Sequence, residues 1–477
     1  MRAPLVLVAV LALTGCSSAS SRTADPPVGK AAPRSLGGIT PPHLTVTHPA
    51  ASDVAPGFVF VGEKGGKDRP SGPVIADNDG RIVWYHQVTH GLEVTDFRTQ
   101  TYKGKPVLTW WQGRISKAGV GRGEYIVYDD TYHQLAELKA AHGLKGDLHE
   151  FQLTPRGTAY VIAYHEVPID LTSVGGPKKG YAYDSVVQEL DVRTGAVKFE
   201  WRGLGHVPLT ESLEANHEPA LHATKKRPLD YIHVNSVADA PGGNILISGR
   251  NTSTIYLVGR DGHIIWRLGG KRSDFGPPKA VFFRFQHNAR LHGDGTLTMF
   301  DNGGIPKLEP FSRSLVLKLD AGTHRATILK TFVHPQKIAS PFEGNFETLA
   351  DGGAFVGWGG VRKVTEFTPS GKVRFEAKLP YGDTYRGYRL PWEGHPSDRP
   401  SIGVDGNRVY ASWNGKTGLA RWEVMVGDDP SQLSRIATKN WTGLETMIPL
   451  EKAPAYVAVR ALDADGHTLG DSATVKP

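Results

Sequence analysis

Six segments of the chain repeat one pattern, a glycine followed at once by a short apolar run, and this repeat restricts the possible folds. The six glycines are Gly57, Gly104, Gly157, Gly243, Gly295 and Gly353. Two more runs with β-strand character follow each glycine, and turn residues separate them. Short runs of this kind are typical of antiparallel strands, and a period of about 50 residues suits one propeller blade with its loops. The pattern therefore predicts a six-bladed β-propeller over residues 49–385.

One interval of the repeat is much longer than the others. Gly157 and Gly243 lie 86 residues apart, whereas the other intervals measure 47 to 58 residues. The additional residues fall around 168–180 and 205–228, in the third unit. Long loops in propellers commonly lie on one face and shape a site. We therefore expect this insertion to border the functional site.

A different pattern begins after residue 385. Strand-like runs occur at 409–415, 420–429, 445–450 and 455–466. A strand containing Trp422 and a later alternating strand are typical of fibronectin type III or immunoglobulin-like modules. We therefore predict an all-β protein in which residues 386–477 form a linker and a small C-terminal β-sandwich. A seventh blade is the alternative, although this segment lacks the polar position described below.

The N-terminal segment has the composition of an export signal. A basic Arg2 precedes an apolar stretch of about nine residues, whereas a bilayer-spanning helix needs about 20. The run Leu13–Thr14–Gly15–Cys16 resembles the lipobox of bacterial lipoproteins, in which the cysteine is acylated. We therefore predict a signal peptide over 1–16, a lipid anchor on Cys16 and a flexible tether over 17–48. An ordinary signal peptide with an incidental cysteine is the alternative.

Composition narrows the chemistry that the folded domain can perform. The chain has one cysteine, which excludes a disulfide framework and a cysteine-based zinc site. Its net charge of +7 is not concentrated in a strongly basic run, so we expect no nucleic-acid partner. The lipobox predicts a protein attached to the extracytoplasmic face of the cell membrane. Histidine is left as the main candidate for catalysis.

The position eight residues before the repeat glycine is polar in five of the six units. These residues are Asp96, His149, Asn235, His287 and Asn345. In a propeller the start of each innermost strand borders the central channel, so these residues are expected to converge there. His233 lies two residues before Asn235 and therefore on the same side of an extended strand. Arg250 lies at the other end of the strand that follows Gly243.

Several kinds of chemistry are open to such a set of residues. Imidazoles and an arginine can bind a tetrahedral oxyanion such as sulfate or phosphate, and an imidazole can attack such a centre covalently. A metal site is the competing interpretation of three histidines, but the set contains no HxH or HxxxH pair. Asp96 and Asn345 are also compatible with capping of strands and turns. Glu150 points away from His149 in a regular strand and is interpreted as structural.

Four segments around these residues resemble the arylsulfotransferase family, specifically its actinobacterial branch. The segments are 147–164, 230–251, 283–303 and 343–360. Members of this family are six-bladed propellers that move a sulfuryl group from one phenol ester to another phenol, without a nucleotide sulfate donor (PAPS). The resemblance covers nearly the whole predicted propeller and implies the same fold and activity here.

The resemblance also implies individual roles. His287, in QHNAR, corresponds to the histidine that becomes transiently sulfated. His149 in DLHEF, and His233 with Asn235 in IHVNS, correspond to other channel residues, and Arg250 in SGRN corresponds to the sulfate-binding arginine. We therefore expect a ping-pong reaction in which His287 attacks sulfur while His149 and His233 exchange protons with the phenols.

The expected partners follow from this reaction. They are a small-molecule phenolic sulfate donor, a phenolic acceptor, and the membrane through the N-terminal lipid. No cofactor and no metal are expected, and Asn235, Asn345 and Asp96 are the predicted substrate-binding residues. Two alternatives remain open. One is a non-catalytic, lipid-anchored propeller that binds an anion, a glycan or a protein, and the other is a metal-dependent hydrolase on the same fold.

Overall fold

The computed structural model describes residues 29–477 except for 31, 33, 38, 40, 65–70, 215–217, 277–280, 305–307 and 380–381. Strands dominate this part of the chain, which confirms the predicted all-β class. Its helical segments are short: α1 (Glu218–Leu221) and 3-10 turns at Thr172–Val174, Gly203–Gly205, Leu209–Glu211, Pro241–Gly243 and Gly359–Val361. Among the described residues no helix has the length and apolar character needed to cross a bilayer. The signal peptide, Cys16 and residues 17–28 of the predicted tether lie outside the described residues.

Two short strands precede the repeat, β1 (Gly29–Lys30) and β2 (Thr45–His48). The first three repeat units form sheets 1 to 3. Sheet 1 contains β3 (Phe58–Glu63), β4 (Gly72–Ala76) and β5 (Ile82–Tyr85); sheet 2 contains β6 (Glu93–Tyr102), β7 (Lys105–Ile115), β8 (Gly121–Tyr128) and β9 (Gln134–Leu138); sheet 3 contains β10 (Gly146–Leu153), β11 (Thr158–Ile169), β12 (Gly180–Asp191) and β13 (Val197–Arg202). Within each sheet consecutive strands pair antiparallel. Sheets 2 and 3 are also joined to each other, because Gly146 of β10 pairs with Gly123 of β8.

The next three units form sheets 4 to 6 in the same way. Sheet 4 contains β14 (Val234–Ala240), β15 (Asn244–Gly249), β16 (Thr254–Val258) and β17 (Ile264–Gly269); sheet 5 contains β18 (His287–Leu291), β19 (Thr296–Asp301), β20 (Arg313–Asp320) and β21 (Arg325–Phe332); sheet 6 contains β22 (Asn345–Thr348), β23 (Ala354–Gly357), β24 (Lys363–Phe367) and β25 (Val373–Lys378). Gly157 and Gly295 lie in the tight turns after the first strands of sheets 3 and 5, with φ of 74° and 76°. This left-handed conformation favours glycine and explains the residue that marks the repeat there.

Sheet 1 is completed by a strand from much later in the chain. β26 (Gly387–Leu390) pairs antiparallel with β3, with Gly387 opposite Val61 and Leu390 opposite Phe58. The predicted boundary at residue 385 is therefore wrong, because 387–390 belong to the first repeat unit rather than to a linker. The predicted tether also ends too late, since β2 pairs with β25 at the outer edge of sheet 6.

Apolar side chains fill the space between neighbouring sheets. Six buried clusters each combine residues of two successive sheets. One of them joins Phe60 and Trp84 of sheet 1 to Trp110 of sheet 2. Another joins Val61 of sheet 1 to Phe375 of sheet 6. The last sheet thus packs on the first, and the six sheets close into a ring whose innermost strands are β26, β6, β10, β14, β18 and β22.

The remaining strands form two further sheets that share one apolar core. The smaller sheet contains β27 (Ser401–Asp405), β28 (Arg408–Ser412) and β31 (Glu445–Pro449); the larger contains β29 (Arg421–Gly427), β30 (Ser434–Asn440), β32 (Tyr456–Leu462), β33 (Thr468–Asp471), β34 (Val475–Lys476) and also β1. Trp422, Val409 and Ile448 belong to the shared core. Asn414 exchanges two hydrogen bonds, of 3.0 and 2.8 Å, with the backbone of Tyr85 in sheet 1. The two sheets are therefore attached directly to the ring.

Candidate active site

The innermost strands of sheets 2 to 5 depart from regular pairing at the same place. Register shifts occur between Thr95 and Arg98, Gly146 and Phe151, Val234 and Ser236, and His287 and Arg290. The polar residues that lie eight positions before the repeat glycines, Asp96, His149, Asn235 and His287, are found at or within these shifts. A bulge locally interrupts the alternation of a strand and changes the direction of its side chains. His149 and His287 belong to these irregular segments, and His233 directly precedes another of them with a φ of 50°.

His149 and His233 are in direct contact. Their Nε2 atoms lie 3.1 Å apart, and their ring planes are nearly perpendicular. The Nδ1 atom of His149 hydrogen-bonds to Asp147, and that of His233 to Asp230. Burial lowers the pKa of His233 even though Asp230 acts in the opposite direction.

This geometry fixes where protons lie in the histidine pair. An ionised carboxylate can only accept, so both Nδ1 atoms carry a proton. With both Nδ1 protons in place, a hydrogen bond between the two Nε2 atoms requires one further proton, so this contact corresponds to a pair with a single positive charge. In that state the pair holds one proton that can move to a ligand beside the site.

The Nδ1 atom of His287 is also held by a neighbour, here a neutral amide rather than a carboxylate. The amide nitrogen of Asn302 donates to the carbonyls of Ser340 and Glu343, at 2.9 Å each. The Oδ1 atom of Asn302 is thereby turned towards Nδ1 of His287, at 2.7 Å. The Nδ1 atom of His287 therefore carries the proton, and its Nε2 atom keeps a free lone pair.

The surroundings of His287 keep its imidazole neutral. Burial first, and then the positive charge of Arg250, hold the pKa of His287 well below its ordinary value. His149 and His233 act in the same direction when protonated, whereas the hydrogen bond to Asn302 opposes the shift. A neutral imidazole with a fixed Nδ1 proton is the form that can act as a nucleophile.

Arg250 and Tyr385 complete the site. The backbone nitrogen of Arg250 donates to the carbonyl of His233 at 2.9 Å, and its guanidinium lies over the ring of Phe285 at 4.5 Å. Tyr385 is fully buried, and its ring meets the rings of His149 and His287 edge-on at 5.4 and 6.2 Å. We call His149, His233, His287, Arg250 and Tyr385 the histidine site. Burial keeps the pKa of Tyr385 well above its ordinary value, so its hydroxyl stays protonated.

The three residues predicted to bind substrate are hydrogen-bonded within the fold. Both carboxylate oxygens of Asp96 accept hydrogen bonds, Oδ1 from Arg386 at 2.9 Å and Oδ2 from the backbone of Phe151 at 3.1 Å. Asn235 is fully buried and donates to the carbonyl of Gln286 at 2.7 Å. Asn345 accepts from the backbone of Gly387 at 2.9 Å. These three side chains therefore link neighbouring innermost strands.

A cluster of charges fills the ring next to the histidine site. Glu150 is fully buried and pairs with Arg98 at 2.8 Å, Arg290 at 2.8 Å and Arg386 at 3.0 Å, and we call these four residues the arginine cluster. Burial alone would raise the pKa of Glu150, but the arginines hold it well below its usual range. Arg386 also donates to the carbonyls of His149 and Asn235, at 3.1 and 3.2 Å. The cluster thus fixes the backbone from which the catalytic candidates project.

Several of these residues were not predicted from the sequence. Asp147 and Asp230 lie two and three residues before their histidines, so a search for carboxylates beside the histidines could have found them. Asn302 directly follows β19, on the strand that pairs with His287. Nothing local marks Tyr385 or Arg386, because they precede β26 and reach the site only through ring closure.

Comparison with known proteins agrees with the character of this site. A family model described as arylsulfotransferase (ASST) matches residues 98–379. No curated protein matches the chain in sequence.

Three solved structures illustrate the structural similarity. A protein of unknown function from Bacteroides caccae is 14% identical, with 70% of this chain and 98% of that chain covered and a TM-score of 0.42. Virginiamycin B lyase from Staphylococcus aureus is 11% identical, with 77% of this chain and 94% of that chain covered and a TM-score of 0.30. The calcium-binding protein regucalcin from Agrobacterium tumefaciens is 16% identical, with 65% of this chain and 79% of that chain covered and a TM-score of 0.30. None of these TM-scores reaches 0.5, so the description of the fold rests on the strand pairing above.

Proposed function

The chain belongs to the arylsulfotransferase family, and on this premise we propose that it transfers a sulfuryl group from a phenolic sulfate ester to a phenolic acceptor through a sulfated His287. The observation that carries the proposal is the fixed tautomer of His287. Asn302 holds the proton on Nδ1, which leaves the Nε2 lone pair of a neutral imidazole for attack. No nucleotide sulfate donor takes part.

The first half of the reaction cleaves the donor. The Nε2 lone pair of His287 forms a bond to sulfur, and the bond between sulfur and the phenolic oxygen breaks, with its electron pair staying on that oxygen. The proton shared by His149 and His233 moves to this oxygen, so that a neutral phenol leaves. Arg250 faces the negative charge that the sulfuryl oxygens carry throughout.

The second half reverses these steps with the acceptor. The hydroxyl proton of the incoming phenol moves to the histidine pair, and the phenolic oxygen forms a bond to sulfur. The bond between Nε2 of His287 and sulfur breaks, and its electron pair returns to the imidazole. Asp147 and Asp230 orient the two histidines throughout, because each accepts a hydrogen bond from an Nδ1 atom.

The finer architecture forms part of the same proposal. The six sheets are assigned as the blades of a β-propeller, with the histidine site in its central channel, and the last two sheets as a small β-sandwich. Residues 1–16 are assigned as a lipoprotein signal peptide, with Cys16 as a lipid anchor on the extracytoplasmic face of the membrane. Growth with a labelled fatty acid, followed by comparison with Cys16→Ser, tests this location.

Intact-mass measurement after brief exposure to 4-nitrophenyl sulfate tests the reaction itself. We expect a mass gain equal to one sulfuryl group, located by digestion in the peptide that contains His287, and its disappearance when a phenol is added. A non-catalytic propeller would bind the aryl sulfate without any change in mass. That result would contradict the proposed function.

Asn302→Asp provides a test of the assigned tautomer through the pH dependence. A carboxylate next to Nδ1 stabilises the charged imidazolium, so the variant raises the pKa of His287, which burial and Arg250 lower in the native site. Activity requires the neutral ring and is lost as the pH falls through this pKa. The acid limb of kcat/KM for the donor is therefore expected to move to higher pH by about one unit or more.

Asn244→Asp is the matched control, since it adds the same charge at the start of β15, in a turn away from the site. Its pH profile is expected to coincide with that of the native protein. An unchanged acid limb in Asn302→Asp would contradict the tautomer assigned to His287.

A further inference from the structure

A basic cavity of about 790 Å³ lies next to the histidine site, on the side of the insertion. Lys117 of the turn between β7 and β8 lines it, together with Lys226 and Arg227 of the insertion. No acidic side chain is among the described residues that line it. None of the three cations forms an ion pair with any side chain that the structure describes. Three cations that converge on one cavity without a counter-ion create a positive potential inside it.

Two tyrosines lie between this cavity and the histidine pair. Tyr183 lines the cavity and meets the ring of Tyr164 edge-on at 5.8 Å. Tyr164 in turn lies 5.6 Å from the ring of His233 and 5.8 Å from that of His149, measured between centroids. The hydroxyl of Tyr164 is held by the carbonyl of Val234 at 2.8 Å, so this wall is fixed.

The acidic groups closest to these two tyrosines have partners of their own. Glu166, which faces Tyr183, accepts a hydrogen bond from Arg122 at 2.6 Å. Asp230 accepts from His233. The cations at the cavity wall therefore remain available to a ligand, and a guanidinium and an ammonium are the groups that bind carboxylate, sulfate and phosphate.

We infer that this cavity binds a second anionic group of the substrate, carried on the same molecule as the phenolic oxygen and about two aromatic rings away from it. The inference rests on the proposed function of the histidine site, because it identifies the substrate class as anionic phenols or their sulfate esters. The anionic group belongs to the donor, to the acceptor or to both, and separate measurements distinguish these sources.

Matched substrates test the inference. The donors are biphenyl-4-yl sulfate and its 4′-carboxylate, and the acceptors are 4-hydroxybiphenyl and its 4′-carboxylate. The native protein is expected to show a KM about tenfold lower for the carboxylated member of at least one pair, which corresponds to about 1.4 kcal/mol. This advantage is expected to shrink as salt is added, because exposed charges are screened.

The double variant Lys226→Glu/Arg227→Glu is expected to remove the advantage and leave KM for the uncharged members unchanged. Lys178→Glu/Lys179→Glu is the matched control, because it makes the same charge change at two exposed lysines of the same insertion that do not line the cavity. Equal KM values for charged and uncharged members in the native protein would overturn the inference. The inference would also be overturned if the control variant lost the KM advantage of the carboxylated substrates to the same extent, since the overall charge of the insertion would then explain the effect.

A binding measurement keeps this test independent of turnover. Calorimetric titration of the native protein with 4′-hydroxybiphenyl-4-carboxylate is expected to give tighter binding than titration with 4-hydroxybiphenyl, and the Lys226→Glu/Arg227→Glu variant is expected to bind both equally. If the protein binds the carboxylated phenol more tightly but never forms the sulfated adduct, the anion-binding cavity is supported and the proposed reaction is contradicted. If the sulfated adduct forms but the two phenols bind equally, the proposed reaction is supported and the anion-binding cavity is contradicted.

Discussion

Replacing His287 by alanine is expected to lower kcat for 4-nitrophenyl sulfate and a phenol acceptor by about a thousandfold or more. The substitution removes the only protein atom that the proposed reaction bonds to sulfur, and the remaining histidine pair has its Nε2 atoms engaged with each other. The sulfated adduct is expected to vanish from the intact-mass spectrum at the same time. Release of nitrophenol and the mass of the protein measure the two effects.

His292→Ala is the matched control for this prediction. It removes a histidine just beyond the end of β18, where the side chain bonds to Thr298 and does not face the histidine site. Its activity is expected to stay within about twofold of the native value, since the change does not alter the barrier. Nitrophenol release by His287→Ala at the native rate would exclude His287 as the nucleophile.

Replacing Arg386 by methionine is expected to lower the free energy of unfolding by about 3–5 kcal/mol, because it removes one cationic partner from each of two buried carboxylates. The guanidinium of Arg386 is fully buried and binds Asp96 and Glu150 at 2.9 and 3.0 Å. Its other contacts reach the carbonyls of His149 and Asn235. One side chain next to β26 thus joins sheets 2, 3 and 4, and its loss weakens the closure of the ring.

Denaturant unfolding followed by tryptophan fluorescence measures this effect. Arg435→Met is the control, since Arg435 also pairs with a glutamate, Glu423 at 2.7 Å, but its side chain is 63% exposed. An exposed pair contributes less than about 1 kcal/mol. Similar losses of stability in the two variants would contradict the role of Arg386 as the buried centre of ring closure.

The sequence alone located most of the site because the repeat imposes equivalent positions. Counting back eight residues from the turn glycine reaches the innermost strand in sheets 2 to 6, and it selected His149 and His287. The count works because the first hairpin of each unit has nearly the same length. It failed only for the first unit, where it reached Pro49, since the innermost strand of sheet 1 is β26 and not the segment before β3.

The roles within the site could not be read from position alone. Asp96, Asn235 and Asn345 occupy the same register as His149 and His287 but bind neighbouring backbone and side chains. Which side chain faces the channel depends on the register shifts and on partners from other sheets, and these arise from long-range packing. The tautomer of His287 likewise depends on Asn302, whose own orientation is set by two backbone carbonyls from a distant loop.

The pairing of β3 with β26 also has a consequence for how the protein is made. Arg389 of β26 lies opposite Val59 and donates a hydrogen bond to the carbonyl of Gly57, 332 positions earlier in the chain. At a synthesis rate of about 5–20 residues per second, β26 follows β3 after roughly 15 to 65 seconds. During this interval the apolar strand Phe58–Glu63 has an open edge, which is the kind of surface that recruits other strands and leads to aggregation. The nascent chain therefore needs protection at this edge until β26 pairs with β3. The histidine site is complete only at the same stage, because Tyr385 directly precedes β26.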